Sequence, residues 1–412
     1  MILVACQAIG LLGRRVGQPQ VVAEMLAGII LGPSLLGLFW PDVFLKVFPP
    51  DTMRVLFPVA QLGLAAYMFV VGLEFRVDIV RRQMRSAVAV SIAGMITPFV
   101  LGAALAWVLF HHTALFPPRT SIAEAMLFLG ASMCITAFPV LARIIHFKKL
   151  TATTMGAVSL GAGAINDAAA WCLLAVVLAR LDGDVSNAIT NIGGGLAYVC
   201  VALLLVQPLL KRWARGIEAR GQLSEGEFIV CLSLLALGAW FTEYIGLHGV
   251  FGAFIMGVAM PRGLITDTLI ERVQPLTVAL LLPLFFTYSG LNTQFGLLNS
   301  GYLWLMAGLV LVVAIGGKGV ACWLAARATG VSNREALGIG TLMNVRGLME
   351  LIIINIGLQR GIISPALFAI LVIMAVITTL MASPIFNLLV GRHQFVATPP
   401  IAELKPTDAN GR

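Results

Sequence analysis

The 412-residue sequence predicts an all-α polytopic membrane protein, with about thirteen transmembrane helices, two inverted five-helix repeats and two broken helices that cross. Three observations predict this fold class: an apolar composition, a regular series of apolar spans, and charged residues near the middle of some spans. Hydrophobic residues make up 59% of the chain and charged residues only 11%, which excludes an ordinary soluble domain.

The apolar spans supply the predicted helices, because a helix needs about 20 apolar residues to cross a bilayer. The first span is short for a crossing, and whether it is a complete helix stays open. The spans lie near residues 1–13, 20–39, 55–75, 86–110, 121–145, 155–179, 188–210, 226–245, 247–260, 275–293, 301–326, 335–358 and 363–390.

The basic residues predict the orientation. With the N-terminus outside, 20 of the 27 lysines and arginines fall on the cytoplasmic side and 5 fall outside. This bias over short loops predicts a multi-pass protein of the cell (inner) membrane, with the N-terminus outside and the C-terminus in the cytoplasm. The net charge of +8 therefore reflects topology, and no nucleic-acid partner is expected.

The six cysteines stand singly in apolar spans, with no metal-ligand spacing. They are typical of small core residues, so the sequence predicts no cofactor, no disulfide and no resident metal site.

Asp167 is the most informative residue. It follows Asn166 in the span 155–179, about a dozen residues from either end. At ~1.5 Å per helical residue, its carboxylate lies ~18 Å from both interfaces and cannot reach water along its own side chain. An acid at a span centre costs ~2.5 to 3.5 kcal/mol and usually marks an ion or proton pathway.

The span 121–145 is predicted to be broken. Pro139 has no N–H to donate to the carbonyl of Ile135, and Thr136 places a hydroxyl in the same turn. A freed carbonyl and a hydroxyl together form a candidate cation ligand set.

The span 335–358 is predicted to be broken as well. Asn344, Arg346, Gly347 and Glu350 fall near its middle, a run that no lipid-facing continuous helix would carry. Arg346 and Glu350 are one turn apart, which predicts a structural clamp on the broken helix.

The spacing of the broken spans predicts the inverted repeats. They are the fifth and the twelfth, and an offset of seven inverts one five-helix unit (spans 2–6) relative to the other (spans 9–13). In transporters of this plan the site lies near the midplane, where the broken helices cross.

Lys318 is the remaining intramembrane charge, and Asp167 is its predicted partner. Plainer interpretations stay open: the pair is only structural, Pro139 is an ordinary kink, and the Thr136 hydroxyl bonds back to its own helix. Glu24 and Glu74 lie near span ends and are predicted to be interfacial. The convergence of an acid, a base and two broken helices at one depth favours a functional site.

Five segments carry a resemblance to a known family: ITAFPVLARII, GAINDAAAWCLLAVVLA, GVFGAFIMGVAMPRG, LLLPLFFTYSGLNTQ and NVRGLMELIIINIGL. From about Val16 to Leu389 the chain resembles the membrane domain of the monovalent cation/proton antiporter superfamily, in particular plant cation/H⁺ exchangers and bacterial Kef-type potassium/proton antiporters. The resemblance implies that Asp167 binds the cation and carries the proton, with Asn166 as its neighbour, Thr136 as the unwound-helix hydroxyl and Lys318 as the basic residue of the core.

The resemblance also implies a sodium/proton antiporter-like fold and a homodimer. In such a dimer a core domain (helices of about 86–180 and 301–390) moves against a dimerisation domain (about 1–75 and 188–293). The antiporter domain would cover residues 1–392, followed by a short cytoplasmic tail, 393–412, that is predicted to be disordered.

Two departures from the family pattern matter. Kef-type systems carry a C-terminal nucleotide-binding domain, whereas this chain ends about twenty residues after its last span, so nucleotide gating would need a separate regulatory subunit. Asn166 stands where electrogenic relatives have a second aspartate. One titratable carboxylate predicts electroneutral exchange, unless Lys318 also releases a proton.

We therefore expect a transporter and not an enzyme: a monovalent cation (K⁺ or Na⁺):proton antiporter in which both ions compete for Asp167. Burial disfavours the ionised carboxylate and a nearby ammonium favours it, so their balance decides the exchange. The resembling branch favours K⁺ only slightly. The rival is an Asp167-independent channel or an organic-anion transporter on the same fold, with Lys318 and Arg346 as anchors. A non-transporting scaffold would leave the midplane charges unexplained.

Overall fold

The computed structural model describes residues 1–391 except 16–17, 19, 76–82, 114, 183–184 and 292–299. Within these residues the regular secondary structure is entirely helical, which confirms the predicted fold class. Arg76, Arg81 and Arg82 of the predicted basic loops lie outside the described residues, as does the tail 393–412.

The helices are α1 Ile2–Arg15, α2 Gln20–Leu31, α3 Leu36–Phe39, α4 Pro41–Val47, α5 Pro50–Glu74, α6 Met84–His112, α7 Ile122–Cys134, α8 Phe138–Phe147, α9 Thr154–Asp182, α10 Val185–Val201, α11 Gln207–Arg220, α12 Glu225–Tyr244, α13 Gly249–Ala259, α14 Leu264–Leu276, α15 Leu282–Leu291, α16 Gly301–Ala328, α17 Asn333–Leu342, α18 Leu348–Gln359 and α19 Pro365–Val390. A π-helical turn joins α10 to α11 and another joins α14 to α15.

Each of the thirteen predicted spans contains a helix or an interrupted helix pair. In the described part of the chain, nine helical segments are long and apolar enough to cross a membrane, and α1 and α13 are shorter apolar helices. The short helix α4 was not predicted, and neither was the interruption that separates α3 from α2 within the predicted span 20–39.

Both predicted breaks are present. The first separates α7 from α8 at residues 135–137, and Pro139 lies in the first turn of α8, where its missing N–H costs no helical hydrogen bond. The second separates α17 from α18 at residues 343–347. The breaks touch each other, because the backbone N–H of Ala137 donates to the carbonyl of Val345 over 3.1 Å.

Gly347 allows this close approach. A Cβ atom at this position would lie 3.0 Å from both Ala137 Cβ and Val140 Cγ2, so a larger residue would require one of these side chains to shift by a few tenths of an ångström.

The helices form two contact groups. In the first, α6 packs on α7, α9 and α16, while α19 packs on α16, α17 and α18. In the second, α5 packs on α13 and α15, α2 on α1 and α15, and α12 on α13. The groups meet where α8 contacts α2 and α5, and where α15 contacts α18. The predicted core and dimerisation domains, with their boundaries and functions, stay predictions.

Burial separates central from lipid-facing helices. In the apolar window of α7–α8, 89% of residues are buried, against 17% for α10–α11. Since membrane tolerates irregular backbone only where protein or water surrounds it, the break between α7 and α8 requires this central position.

One end of the molecule gathers basic side chains, and we call it the basic face. There Lys148 donates to Asn387 Oδ1 over 2.7 Å, and Arg334 donates to the carbonyl of Val390, which brings together the ends of α8 and α19 and the start of α17. Arg262 likewise donates to the carbonyl of Phe75 after α5. These residues were all predicted to be cytoplasmic.

Candidate functional site

The site is built around Asp167, in the middle of α9. Its side chain is 2% exposed, and no hydrogen-bond partner within the described residues reaches Oδ1. A charged carboxylate without a partner is costly in such a place, so a proton or a cation has to neutralise it.

Asn166 is held by neighbouring helices. Ser91 Oγ on α6 donates to Asn166 Oδ1 over 2.5 Å, and Asn166 Nδ2 donates to Thr136 Oγ1 over 3.4 Å. The carboxamide oxygen already accepts a hydrogen bond, so Asn166 orients Thr136 and is less suited to binding a cation. Ser91 was missed by the sequence reasoning, since a lone serine in an apolar span carries no distinguishing signal.

Thr136 connects the two breaks. Its fully buried hydroxyl accepts from Asn166 and donates to the carbonyl of Met343 over 3.3 Å. Ile135, directly before it, has extended backbone angles (φ −73°, ψ 144°), so its carbonyl leaves the α7 axis. The predicted ligand set of Asp167, Thr136 and Ile135 therefore belongs to α9 and to the break that packs against it.

The structure corrects the partner of Lys318. Its ammonium donates to the carbonyl of Cys134, and the ion pairs of the described residues include none between Lys318 and Asp167. The last carbonyls of a helix lack intrahelical partners and carry partial negative charge, so they attract a cation. The predicted Asp167–Lys318 pair is thus replaced by a cap on the C-terminus of α7.

Arg346 caps the same helix end. Nη1 donates to the carbonyl of Ser132 over 3.1 Å, and Nη2 donates to that of Met133 over 2.8 Å. Nη1 also forms a 3.1 Å ion pair with Glu350, and both side chains are fully buried. The clamp expected within one helix therefore reaches across to the other broken helix.

Thr379 on α19 holds the backbone of the second break. Its hydroxyl accepts from the N–H of Arg346 over 3.2 Å and donates to the carbonyl of Arg346 over 2.7 Å. The sequence reasoning missed it, although the Thr378–Thr379 pair in an otherwise apolar span was an available signal.

Asn344 does not join the Asp167 cluster. Its Nδ2 donates to the carbonyl of Gly340 over 3.0 Å, and the side chain borders a cavity of about 220 Å³ between α16, α17 and α19. Pro139 acts on the site only through the break that it places before α8.

Glu24 is a second correction. It was predicted to be interfacial, but its side chain is 1% exposed, because α2 is covered by α1, α8 and α15. Glu74 is partly exposed and forms an ion pair of 3.5 Å with His146.

With this geometry established, comparison with known proteins identifies the family. The transmembrane family of sodium/hydrogen exchangers matches residues 2–390. The chain belongs to this family.

Named relatives span bacteria, plants and fungi. The exchanger is 40% identical to the Na⁺/H⁺ antiporter NhaS4 of Synechocystis sp. over 93% of this chain and 94% of that protein. It is 37% identical to cation/H⁺ antiporter 17 of Arabidopsis thaliana and 33% identical to K⁺/H⁺ antiporter 1 of Saccharomyces cerevisiae. The matches cover 93% and 94% of this chain but only 47% and 45% of those longer proteins.

A solved structure supports the fold. The sodium proton antiporter MjNhaP1 of Methanocaldococcus jannaschii superposes with a TM-score of 0.65 over 94% of each chain, at 16% sequence identity. At this identity the likeness concerns the fold alone.

Proposed function

We propose that this exchanger exchanges a monovalent cation, K⁺ or Na⁺, for a proton, and that both ions bind Asp167 in turn. The observation that carries the proposal is the unpartnered Oδ1 of a buried carboxylate beside two helix breaks. The relatives named as Na⁺/H⁺, K⁺/H⁺ and cation/H⁺ antiporters support the same reaction.

Cation binding uses oxygen donors that the fold places around the break. The Asp167 carboxylate, the Thr136 hydroxyl and the freed Ile135 carbonyl supply such oxygens, and water completes the shell. A cation that binds displaces the proton from Asp167. On the other side of the membrane a proton binds Asp167 and displaces the cation. Each turnover therefore carries one positive charge in each direction.

Exchange is electroneutral in this scheme. Asn166 cannot release a proton, and the scheme requires Lys318 to keep its proton while it donates to the carbonyl of Cys134. The membrane potential, worth ~2.3 kcal/mol per charge at 100 mV, then does no net work on the cycle.

In the proposed cycle, alternating access uses the two contact groups. The core would be the group that contains α7, α8, α9 and α16–α19, and it would move against the group that contains α2, α5 and α13. The second group would form the interface of a homodimer. We assign the basic face to the cytoplasm, and the N-terminus to the outside of the cell membrane, on the charge bias of the loops.

The rival transporter of organic anions needs free cationic anchors. Lys318 and Arg346 are both fully buried and donate to α7 carbonyls, so neither is presented to a substrate. This observation favours the antiporter.

The test uses proteoliposomes that contain a pH dye, challenged with K⁺, Na⁺ or choline outside. Wild type should release protons in response to K⁺ or Na⁺, at a rate unchanged by an imposed potential of ~100 mV. Asp167→Asn should abolish the response while the protein stays folded, and Asp267→Asn, at an exposed position on α14, should keep it. Wild-type exchange by Asp167→Asn would overturn the proposal, and a current in solid-supported-membrane recordings would overturn its electroneutrality.

A further inference from the structure

Glu24 is a second buried acid that the exchange mechanism does not use. Its side chain on α2 is 1% exposed, and Oε2 has no hydrogen-bond partner among the described residues. Its own backbone carbonyl accepts from Thr287 Oγ1 on α15, which fixes α2 but leaves the carboxylate free. An intramembrane acid of this kind needs a counter-ion or a proton.

Gln20 connects Glu24 to solvent. It lies one turn before Glu24 on α2, so the two side chains share a helix face. Gln20 Nε2 donates to the carbonyl of Cys6, while Gln20 Oε1 has no partner in the described part of the chain. Two adjacent oxygen acceptors, an amide and a carboxylate, are therefore both unsatisfied.

A cavity of about 540 Å³ reaches Gln20, one turn from Glu24 along α2. Gln20 borders it together with Arg143 and His146 of α8 and Gln274 of α14. His146 and Gln274 both contact Glu74, near the end of α5 that belongs to the basic face. The cavity thus opens at the basic face, between the two contact groups.

Arg143 is the charged group whose field acts on Glu24. It belongs to α8, which carries the first break, whereas Glu24 belongs to the opposite contact group. The positive field of Arg143 opposes the binding of a cation at Glu24, so binding there should be weak.

We propose that Glu24 and Gln20 form a second binding site for a monovalent cation, which holds the ion at the basic face before it reaches Asp167. The carboxylate Oε2 and the amide Oε1 are its protein ligands, and the cavity provides access. This inference rests on the proposed antiport function, which supplies the cation as substrate.

Binding is tested without transport, in purified full-length protein. Melting is followed in NaCl or KCl against choline chloride at constant ionic strength, in an Asp167→Asn background that removes the first site. Residual cation-dependent stabilisation is expected, and Glu24→Gln added to this background should remove it. The control Glu225→Gln, an exposed acid at the start of α12, should leave it unchanged. Absence of any residual stabilisation, or its persistence after Glu24→Gln, would overturn the proposal.

Transport gives the second readout. With cation supplied at the basic face, Glu24→Gln should raise the half-saturating cation concentration about tenfold or more, as expected when a charged ligand is lost. The value at the opposite face should not change. Glu24→Asp, which keeps the charge, should restore part of the affinity and serves if Glu24→Gln folds poorly.

The outcomes separate this proposal from the antiport function. If Glu24→Gln and wild type share one half-saturating concentration, the second site is refuted and antiport at Asp167 stands. If wild type shows no exchange, the function fails, while the binding assay still decides the second site.

Discussion

A double-mutant cycle between Asp167 and Lys318 tests the correction that the structure makes to their pairing. Lys318→Met removes the ammonium that donates to the Cys134 carbonyl and keeps the bulk of the side chain. Asp167→Asn removes the carboxylate and keeps its shape. The two single variants and the double variant are compared with wild type.

The structure sets the expected free energies of unfolding. Lys318→Met leaves the buried Cys134 carbonyl without its donor, which costs ~1 to 3 kcal/mol. Because Lys318 donates to Cys134 and forms no ion pair with Asp167 among the described residues, the two effects should add to within ~0.5 kcal/mol. In an ion pair, by contrast, removing one partner would cost ~3 to 5 kcal/mol, and the double variant would recover much of that loss.

The assay is reversible unfolding by SDS in bicelles, followed by tryptophan fluorescence. Lys211→Met, at an exposed position on α11, controls for the loss of a lysine as such. A coupling free energy well above ~1 kcal/mol would show that Lys318 and Asp167 interact directly, and would refute the helix-cap interpretation.

Three further predictions follow from single contacts. Thr136→Val removes the hydroxyl that joins Asn166 to Met343. Cation binding should weaken by ~1.5 to 3 kcal/mol, which is measured as a higher cation concentration at half-saturation. An unchanged concentration would remove Thr136 from the site. Glu350→Gln leaves the Arg346 charge without its counter-charge, so the free energy of unfolding should fall by ~3 kcal/mol or more. Since an arginine stays charged, alkaline pH should not reverse this loss of stability. A variant as stable as wild type would contradict the clamp. Burial lowers the pKa of Lys148, just beyond the end of α8, from 10.5 to about 8. The folded state then binds fewer protons than the unfolded state between about pH 8 and 10.5, so stability should rise with pH in this window, a rise that Lys148→Gln should lose in melting curves.

The sequence was sufficient for the features that depend on local chemistry. Long apolar spans predict membrane helices, because polar residues are costly within the bilayer. Pro139 predicts the start of α8, because a residue without an N–H interrupts a helix at a known offset. Arg346 and Glu350 lie one turn apart, so their ion pair was also predictable from helical geometry.

Contacts between helices were not predictable in the same way. The opposite charge of Asp167 made it the natural partner of Lys318. The observed partner is a backbone carbonyl, and because every residue has a carbonyl, the sequence does not indicate which one accepts. Only the three-dimensional path of α7 shows which carbonyls are left without donors. Glu24 was misplaced for a similar reason, since its distance from the span end gives its depth along α2 but not the covering by α1, α8 and α15.

Hydrogen-bond partners separate the structural charges of the midplane from the functional one. Ser132, Met133 and Cys134 present the terminal carbonyls of α7, and Arg346 and Lys318 supply a donor to each. A helix that ends inside a membrane needs such donors, because no water or lipid group can provide them there. The contacts of these two cations therefore stabilise the break. Glu350 is paired with Arg346, whereas Asp167 Oδ1 has no hydrogen-bond partner among the described residues, so we infer that the transported ions neutralise the charge of Asp167.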